Sequence, residues 1–270
     1  MHLSRGTSWF LRLGTAFTLL FLYLPLIVIA IYAFNSAQIQ RWPLDGLTLK
    51  WFDKAFHNPG ARDALGMSLK AGLGATAIAM TLGTLAAFAV ARYRFFGRET
   101  MSFLVVLPLA LPGIVTGMAL NSTFTQVLGV NLGLLTVIVG HATFCIVVVY
   151  NNVIARLRRT SPSLEEASAD LGADTWQTFR LVLFPQLRSA LIAGGLLAFA
   201  LSFDEVIVTT FTAGNSETLP IWIFNNLSRP HQLPIVNVVG VLVIALSAVP
   251  VYIAQRLTAD PATTSTAVAR

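Results

Sequence analysis

Two adjacent carboxylates, Asp204 and Glu205, lie in an otherwise apolar stretch that covers residues 189–212. Ser202, Glu205 and Thr209 recur at spacings of three and four residues, so a helix would place them on one face, with Asp204 beside it. An ionised carboxylate surrounded by hydrocarbon is costly, so both side chains must face protein or water. The pattern indicates either a polar path through this stretch or an ion pair with a partner subunit.

Other side chains that could do chemistry are scattered along the chain. The four His residues are far apart in sequence, the single Cys lies in an apolar run, and no set has the spacing of metal ligands. His141 is best interpreted as a packed histidine bonded to a neighbouring helix. The sequence contains no G-x-x-x-x-G-K-[ST] loop to cradle the phosphates of ATP. We therefore expect no metal, cofactor, ATP site or catalytic residue in this chain.

The composition identifies the class of protein that must position these residues. The 270-residue chain is 55% hydrophobic and 11% charged, with a mean hydropathy of +0.71. Soluble domains carry about 25% charged residues. One Cys and the lack of low-complexity sequence exclude disulfide scaffolds and disordered proteins. A polytopic membrane protein remains.

The runs without charge predict an all-α fold with six transmembrane helices, because about 20 apolar residues span a bilayer. The first run is longer than the apolar region of a signal peptide and is interpreted as an uncleaved span. The six predicted spans are residues 13–34, 68–91, 101–120, 132–151, 188–211 and 234–256.

Lys and Arg in the loops predict the orientation of these spans. With the N-terminus in the cytoplasm, twelve of the 18 basic residues lie inside and six outside, which favours cytoplasmic termini. The basic residues that raise the pI to 10.0 flank the predicted spans, where they would lie beside the lipid bilayer. We therefore expect no nucleic-acid partner.

The connection between the fourth and fifth spans, residues 156–188, is unusually rich in charge. Ser163 and Glu166 have the spacing of a capping box, which predicts the start of a short helix. Gly172 stands where that helix would end in a left-handed residue. Asp174 and Gln177 then predict a second capped helix.

Pro185 is expected to stop this second helix and to start the fifth span. Two short capped helices in a loop favour docking onto a partner. The alternative is a helix pair that lies on the bilayer surface, but such helices usually carry a basic polar face, and this one is acidic.

The same connection resembles the EAA loop of ABC-importer permeases. That pattern reads E-A-A, three residues, G, nine residues, I, one residue, L-P. It matches Glu166-Ala167, Gly172, Val182 and Phe184-Pro185. Ser168 replaces the second Ala, Val182 the Ile and Phe184 the Leu. Two further segments, around Leu22-Tyr23-Leu24-Pro25 and from Leu201 to Val208, resemble the second permease subunit of spermidine/putrescine importers.

The resemblance implies one permease domain over residues 1–270, with its core at 60–256 and a type I importer fold in the bacterial inner membrane. The chain would supply half of the translocation path. Its partners would be a sister permease in a heterodimer, a cytoplasmic ABC ATPase dimer that binds the ATP, and an extracytoplasmic solute-binding protein. The residues expected to couple to the ATPase are Glu165, Glu166, Ala167, Asp170, Gly172, Ala173 and Pro185.

The candidate substrate path consists of Ser202, Asp204, Glu205 and Thr209, whose carboxylates and hydroxyls would suit a polyamine cation. Two alternatives stay open at this point. Related importers for ferric iron, opines or thiamine share parts of these motifs. A proton-coupled secondary carrier would explain the acids in the apolar stretch but would leave the capped connection without a role.

Overall fold

The computed structural model describes residues 4–258, which form helices and contain no strand beyond one isolated bridge between Asn35 and Leu47. Two π-helical segments, Thr123–Val127 and Thr178–Leu183, adjoin these helices. The α-helices are α1 Arg5–Ala33, α2 Lys50–Phe56, α3 Pro59–Arg92, α4 Arg98–Ala110, α5 Gly113–Ser122, α6 Leu134–Arg159, α7 Ser163–Asp170, α8 Thr175–Gln177, α9 Phe184–Asp204, α10 Ile207–Thr212, α11 Leu219–Leu227 and α12 Leu233–Thr258.

Within residues 4–258, four helices are long and apolar enough to cross a membrane. They are Gly6–Ala33, Pro59–Arg92, Leu134–Arg159 and Thr175–Asp204. The α4–α5 pair provides a fifth candidate if it is one broken span, and α12 covers the predicted sixth span. A nearly all-helical membrane protein is confirmed.

The third predicted span, residues 101–120, is wrong as a single helix. The chain bends by 103° between α4 and α5. Leu111 is extended, with φ −82° and ψ 142°, because the following Pro112 disfavours the helical conformation. The Pro112-Gly113 dipeptide is a turn signal that hydropathy alone does not register.

The fifth predicted span, residues 188–211, is also not one helix. It begins earlier, since α8, a π-helical segment and α9 run continuously from Thr175, and α9 ends at Asp204. Glu205 is extended, with φ −73° and ψ 118°, before α10 resumes at Ile207. The β-branched run at 206–210 lowers the helix propensity at this point.

Within residues 4–258, the chain divides into two compact units, one formed by residues 4–62 and 222–248 and the other by residues 63–221 and 249–258. In the first unit, the buried Trp51 donates its indole N–H to the Asn35 carbonyl at 2.8 Å. In the second, α6 is the most buried candidate span, with 56% of its apolar window inside the protein. A Cβ on Gly83 of α3 would lie 2.8 Å from the Ile146 carbonyl oxygen of α6, so only glycine allows this approach.

Candidate functional site

The 156–188 connection begins with α7, whose end is fixed by Gly172. Gly172 adopts a left-handed φ of +85°. Its N–H donates to the Ala169 carbonyl at 2.9 Å, and the Ala173 N–H donates to the Ser168 carbonyl at 3.0 Å. This pair of bonds is the Schellman motif that ends many helices. The left-handed residue predicted at Gly172 is confirmed.

The start of α7 differs from the prediction. Ser163 is the first helical residue, and Pro162 occupies the capping position without a side-chain cap. The Ser163 N–H donates instead to the Ser161 hydroxyl at 3.3 Å. The capping box predicted from Ser163 and Glu166 is therefore wrong, since a turn led by Ser161 and Pro162 starts the helix one residue earlier than that box requires.

The second half of the connection is capped as predicted. The Gln177 N–H donates to Asp174 Oδ1 at 2.7 Å, and the Asp174 N–H donates to Gln177 Oε1 at 3.0 Å. Pro185 does not stop this helix, which corrects the prediction. The π-helical segment Thr178–Leu183 widens the turn just before Pro185, so the chain avoids the clash that an α-helical turn would create.

A hydroxyl pair joins the two halves of the connection. Ser168 Oγ lies 2.7 Å from Thr178 Oγ1. Ser168 is the residue that departs from the second Ala of the EAA pattern, and the departure therefore adds a hydrogen bond between α7 and the π-helical segment that follows α8.

The connection presents a mixed acidic and apolar surface. Glu166, Ala167, Asp170, Gly172 and Pro185 are exposed, whereas Glu165 and Ala173 are partly buried. Large apolar side chains are exposed beside them, with Leu171 at 89% and Trp176 at 65%. Exposed apolar side chains on a rigid, capped turn are typical of a docking surface.

The second candidate site is the break between α9 and α10, which Glu205 stabilises. Glu205 Oε1 accepts the Val208 N–H at 2.9 Å, so the carboxylate satisfies a free donor at the start of α10. The Glu205 carbonyl accepts the Thr209 hydroxyl at 2.7 Å. Both contacts are local and hold the chain in its broken conformation.

The buried His141 of α6 connects the two sides of this break. Its Nδ1 lies 2.7 Å from Ser202 Oγ on α9, and its Nε2 lies 2.8 Å from Thr209 Oγ1 on α10. Because the Thr209 hydroxyl already donates to Glu205, it accepts from Nε2–H, and Ser202 then donates to Nδ1. A histidine bonded to a neighbouring helix is confirmed, but its role at a helix break was not predicted.

The structure brings Ser202, Glu205 and Thr209 together, but Asp204 lies apart from them. Asp204 is exposed and makes no hydrogen bond or ion pair within residues 4–258. It is also the last residue of α9, where the helix dipole disfavours a negative charge. Of the two acids, Asp204 is therefore the one whose carboxylate is not engaged by any group of the described residues.

The break between α4 and α5 lies next to the break between α9 and α10. The Asn121 side-chain amide of α5 donates to the Phe211 carbonyl of α10 at 2.6 Å. A Cβ on Gly117 of α5 would lie 2.6 Å from the Phe211 ring, so the two short helices pack closely. Hydropathy did not indicate this pairing, but the Pro112-Gly113 signal and the acids at 204–205 could have located both breaks.

Comparison with known proteins identifies the scaffold that carries these features. Residues 79–260 match the family described as the binding-protein-dependent transport system inner membrane component. The chain belongs to this family. It is therefore a multi-pass protein of the inner membrane and a transport component rather than an enzyme. This membership decides against the secondary-carrier alternative.

Individual relatives of this transport component agree with the family. The chain is 32% identical over 247 residues to the putrescine transport system permease protein PotI of Escherichia coli K12, and the match covers 88% of this chain and 87% of PotI. It is also 32% identical to the spermidine/putrescine permease PotC of Haemophilus influenzae, covering 93% and 98%. The fold matches a chain of a bacterial ABC transporter that imports alginate, with a TM-score of 0.70, 18% identity and coverage of 95% and 98%.

Proposed function

We propose that this chain is a permease subunit of an ATP-driven importer for polyamines such as putrescine and spermidine. PotI and PotC, which it matches over most of their length, bear the names of putrescine and spermidine permeases. In this proposal the whole chain acts as one permease domain, with six spans, cytoplasmic termini and a core at residues 60–256. It forms half of the translocation path, and a sister permease forms the other half.

The observation that carries the cargo assignment is the exposed carboxylate of Asp204. It has no counter-ion within residues 4–258 and stands at a helix break inside an apolar stretch. A free carboxylate attracts a cation and repels an anion, which supports a cationic cargo. Ferric iron and thiamine would share that attraction, and the two named relatives favour a polyamine over them.

The 156–188 connection supports the assignment of an ATPase partner. Its rigid turn at Gly172, its acidic first turn and its exposed Leu171 and Trp176 fit docking into a groove of a cytoplasmic ABC ATPase dimer. In this arrangement the ATPase binds ATP and the permease needs no cofactor. An extracytoplasmic solute-binding protein delivers the cargo from the other side.

Uptake of labelled putrescine in cells lacking their own polyamine importers tests the proposal. The chain is co-expressed with its sister permease, ATPase and binding protein, and Asp204→Asn is compared with wild type. We expect uptake to fall at least tenfold, which corresponds to about 1.4 kcal/mol. Unlabelled spermidine should compete with putrescine, and thiamine should not.

Glu99→Gln is the matched control, because Glu99 is an exposed acid of α4 outside both candidate sites. It should transport like wild type, and the ATPase should co-purify with both variants. If Asp204→Asn took up putrescine as well as wild type does, the Asp204 carboxylate would not lie on the cargo path. A wild-type complex that imports thiamine but not putrescine would overturn the polyamine assignment.

A further inference from the structure

One arginine of α3 contacts two other elements within the 156–188 connection, the end of α6 and α7. Arg92 is the last residue of α3, and its Nε lies 2.7 Å from Glu165 Oε1 on α7. Its two terminal nitrogens donate to the carbonyls of Leu157 and Thr160 at 3.5 and 3.4 Å, where α6 ends. The ion pair is largely shielded, since the Arg92 and Glu165 side chains are 15% and 27% exposed.

A second contact lies one helical turn earlier on α3. The Phe88 ring meets the Phe179 ring edge to face, with 5.9 Å between the centroids. Phe179 follows α8, so the end of α3 touches both halves of the connection, α7 through Arg92 and the π-helical segment through Phe88. The Ser168–Thr178 hydroxyl pair joins those halves, and the three contacts hold the connection as one body.

Two of the elements that Arg92 joins, α3 and α6, are closely packed. The approach of α3 to α6 at Gly83 leaves no room for a Cβ, so the two helices are in direct contact here. A displacement of α7 by a docked partner would therefore pass through the Glu165–Arg92 pair into the α3–α6 pair. Glu166, in contrast, is exposed and points to no partner within residues 4–258.

We propose that Arg92 is a positioning residue that transmits the movement of the connection into the membrane-spanning helices through Glu165. This inference rests on the proposed function, because it assumes that a partner ATPase docks on the connection. It divides the two adjacent acids of α7 between different tasks. Glu165 holds the connection to its own chain, and Glu166 remains available to the partner.

A charge exchange tests the proposal in the complete complex. Arg92→Glu, Glu165→Arg and the double exchange are purified with the sister permease and the ATPase, and reconstituted into vesicles with the binding protein. The readout is the amount of labelled putrescine imported per ATP hydrolysed. We expect each single variant to lower this ratio at least threefold while the ATPase still co-purifies. The double exchange should recover at least half of the wild-type ratio.

Glu99→Arg makes the same change of charge as Glu165→Arg, but at an exposed site outside the connection. It should leave the ratio of imported putrescine to hydrolysed ATP unchanged. The thermal midpoint of each complex in detergent identifies any variant that fails to fold. A wild-type ratio in both single variants would overturn the proposal, as would a double exchange that recovers nothing although it folds. Failure of the proposed function is a separate result, since it would appear as absent putrescine import by the wild-type complex.

Discussion

The 156–188 connection and the break at Glu205–Val206 are both irregular, but their turns differ in how far apart in the sequence the bonded residues lie. In the connection, the bonds at Gly172 and Asp174 join residues at most five positions apart, and the surrounding side chains are largely exposed. At the break, His141 bonds to Ser202 and Thr209, which are 61 and 68 residues away, and all three are buried.

This difference separates turns encoded locally from a break that depends on packing as well as on local contacts. The turns at Gly172 and Asp174 can keep their geometry while the helices around them move, as a docking element must. The break depends on α6, so any rearrangement of α6 against α9 and α10 changes the position of Asp204. Substitutions in the connection should therefore alter coupling with only a local cost in stability, whereas substitutions at the break should alter stability and transport together.

Gly172→Val should have the largest effect, because it strains the turn that aligns the two short helices. At φ +85° a β-branched residue costs about 1–2 kcal/mol, although no atom lies within 4 Å of the added Cβ. We expect putrescine uptake to fall at least tenfold while the protein still inserts into the membrane. Gly172→Asn, which tolerates a left-handed φ, should retain most of the uptake.

Gly97→Val is the control for this strain. Gly97 has nearly the same φ, +84°, and equally open space, but it lies before α4 and outside the connection. It should change uptake much less than Gly172→Val. Equal losses in both variants would mean that strain in any loop impairs transport, and that the turn at Gly172 has no special role.

The sequence predicted the connection well because its signals are local. Gly172 and the Asp174–Gln177 pair act within one or two turns, so residue type and spacing suffice to indicate them. The exception is the start of α7, where Ser161 and Pro162 compete with Ser163 for the capping position. The continuation of the helix through Pro185 was missed because π-helical turns have no clear sequence signal.

The two helix breaks, between α4 and α5 and between α9 and α10, were missed because their signals are not local. Hydropathy averages over about 20 residues and cannot distinguish a straight span from two short helices of the same composition. The partners of His141 could not be inferred, because they depend on how α6 packs against α9 and α10. The coupling of Arg92 to Glu165 likewise joins residues that are 73 positions apart in the sequence.

His141→Ala should have an intermediate effect that appears in stability as well as transport. It leaves the buried hydroxyl of Ser202 without its partner and removes the tie between α9 and α10. We expect a loss of about 1–3 kcal/mol in stability. Uptake should fall about fivefold, or ~1 kcal/mol. Thermal unfolding in detergent and uptake of labelled putrescine measure the two effects.

His57→Ala provides the comparison, since His57 is exposed and bonds only within its own turn. Neither its thermal midpoint nor its uptake should change measurably. If His141→Ala lowered uptake without lowering the thermal midpoint, the histidine would act on the cargo itself. The expectation that substitutions at the break lower stability and transport together would then be wrong for His141.

Glu205→Gln should have the smallest effect, and it separates the two acids of the break. The amide oxygen of Gln can still accept the Val208 N–H that Glu205 Oε1 accepts at 2.9 Å, so the start of α10 stays capped. Only the favourable contact between the carboxylate and the helix N-terminus is lost, about 0.3–1 kcal/mol. Uptake should therefore fall less than about fivefold, the most that ~1 kcal/mol allows.

Glu205→Ala, which removes the cap on α10, should lower uptake more than Glu205→Gln does. A tenfold loss in Glu205→Gln, equal to that of Asp204→Asn, would place both carboxylates on the cation path and make the cap a secondary role.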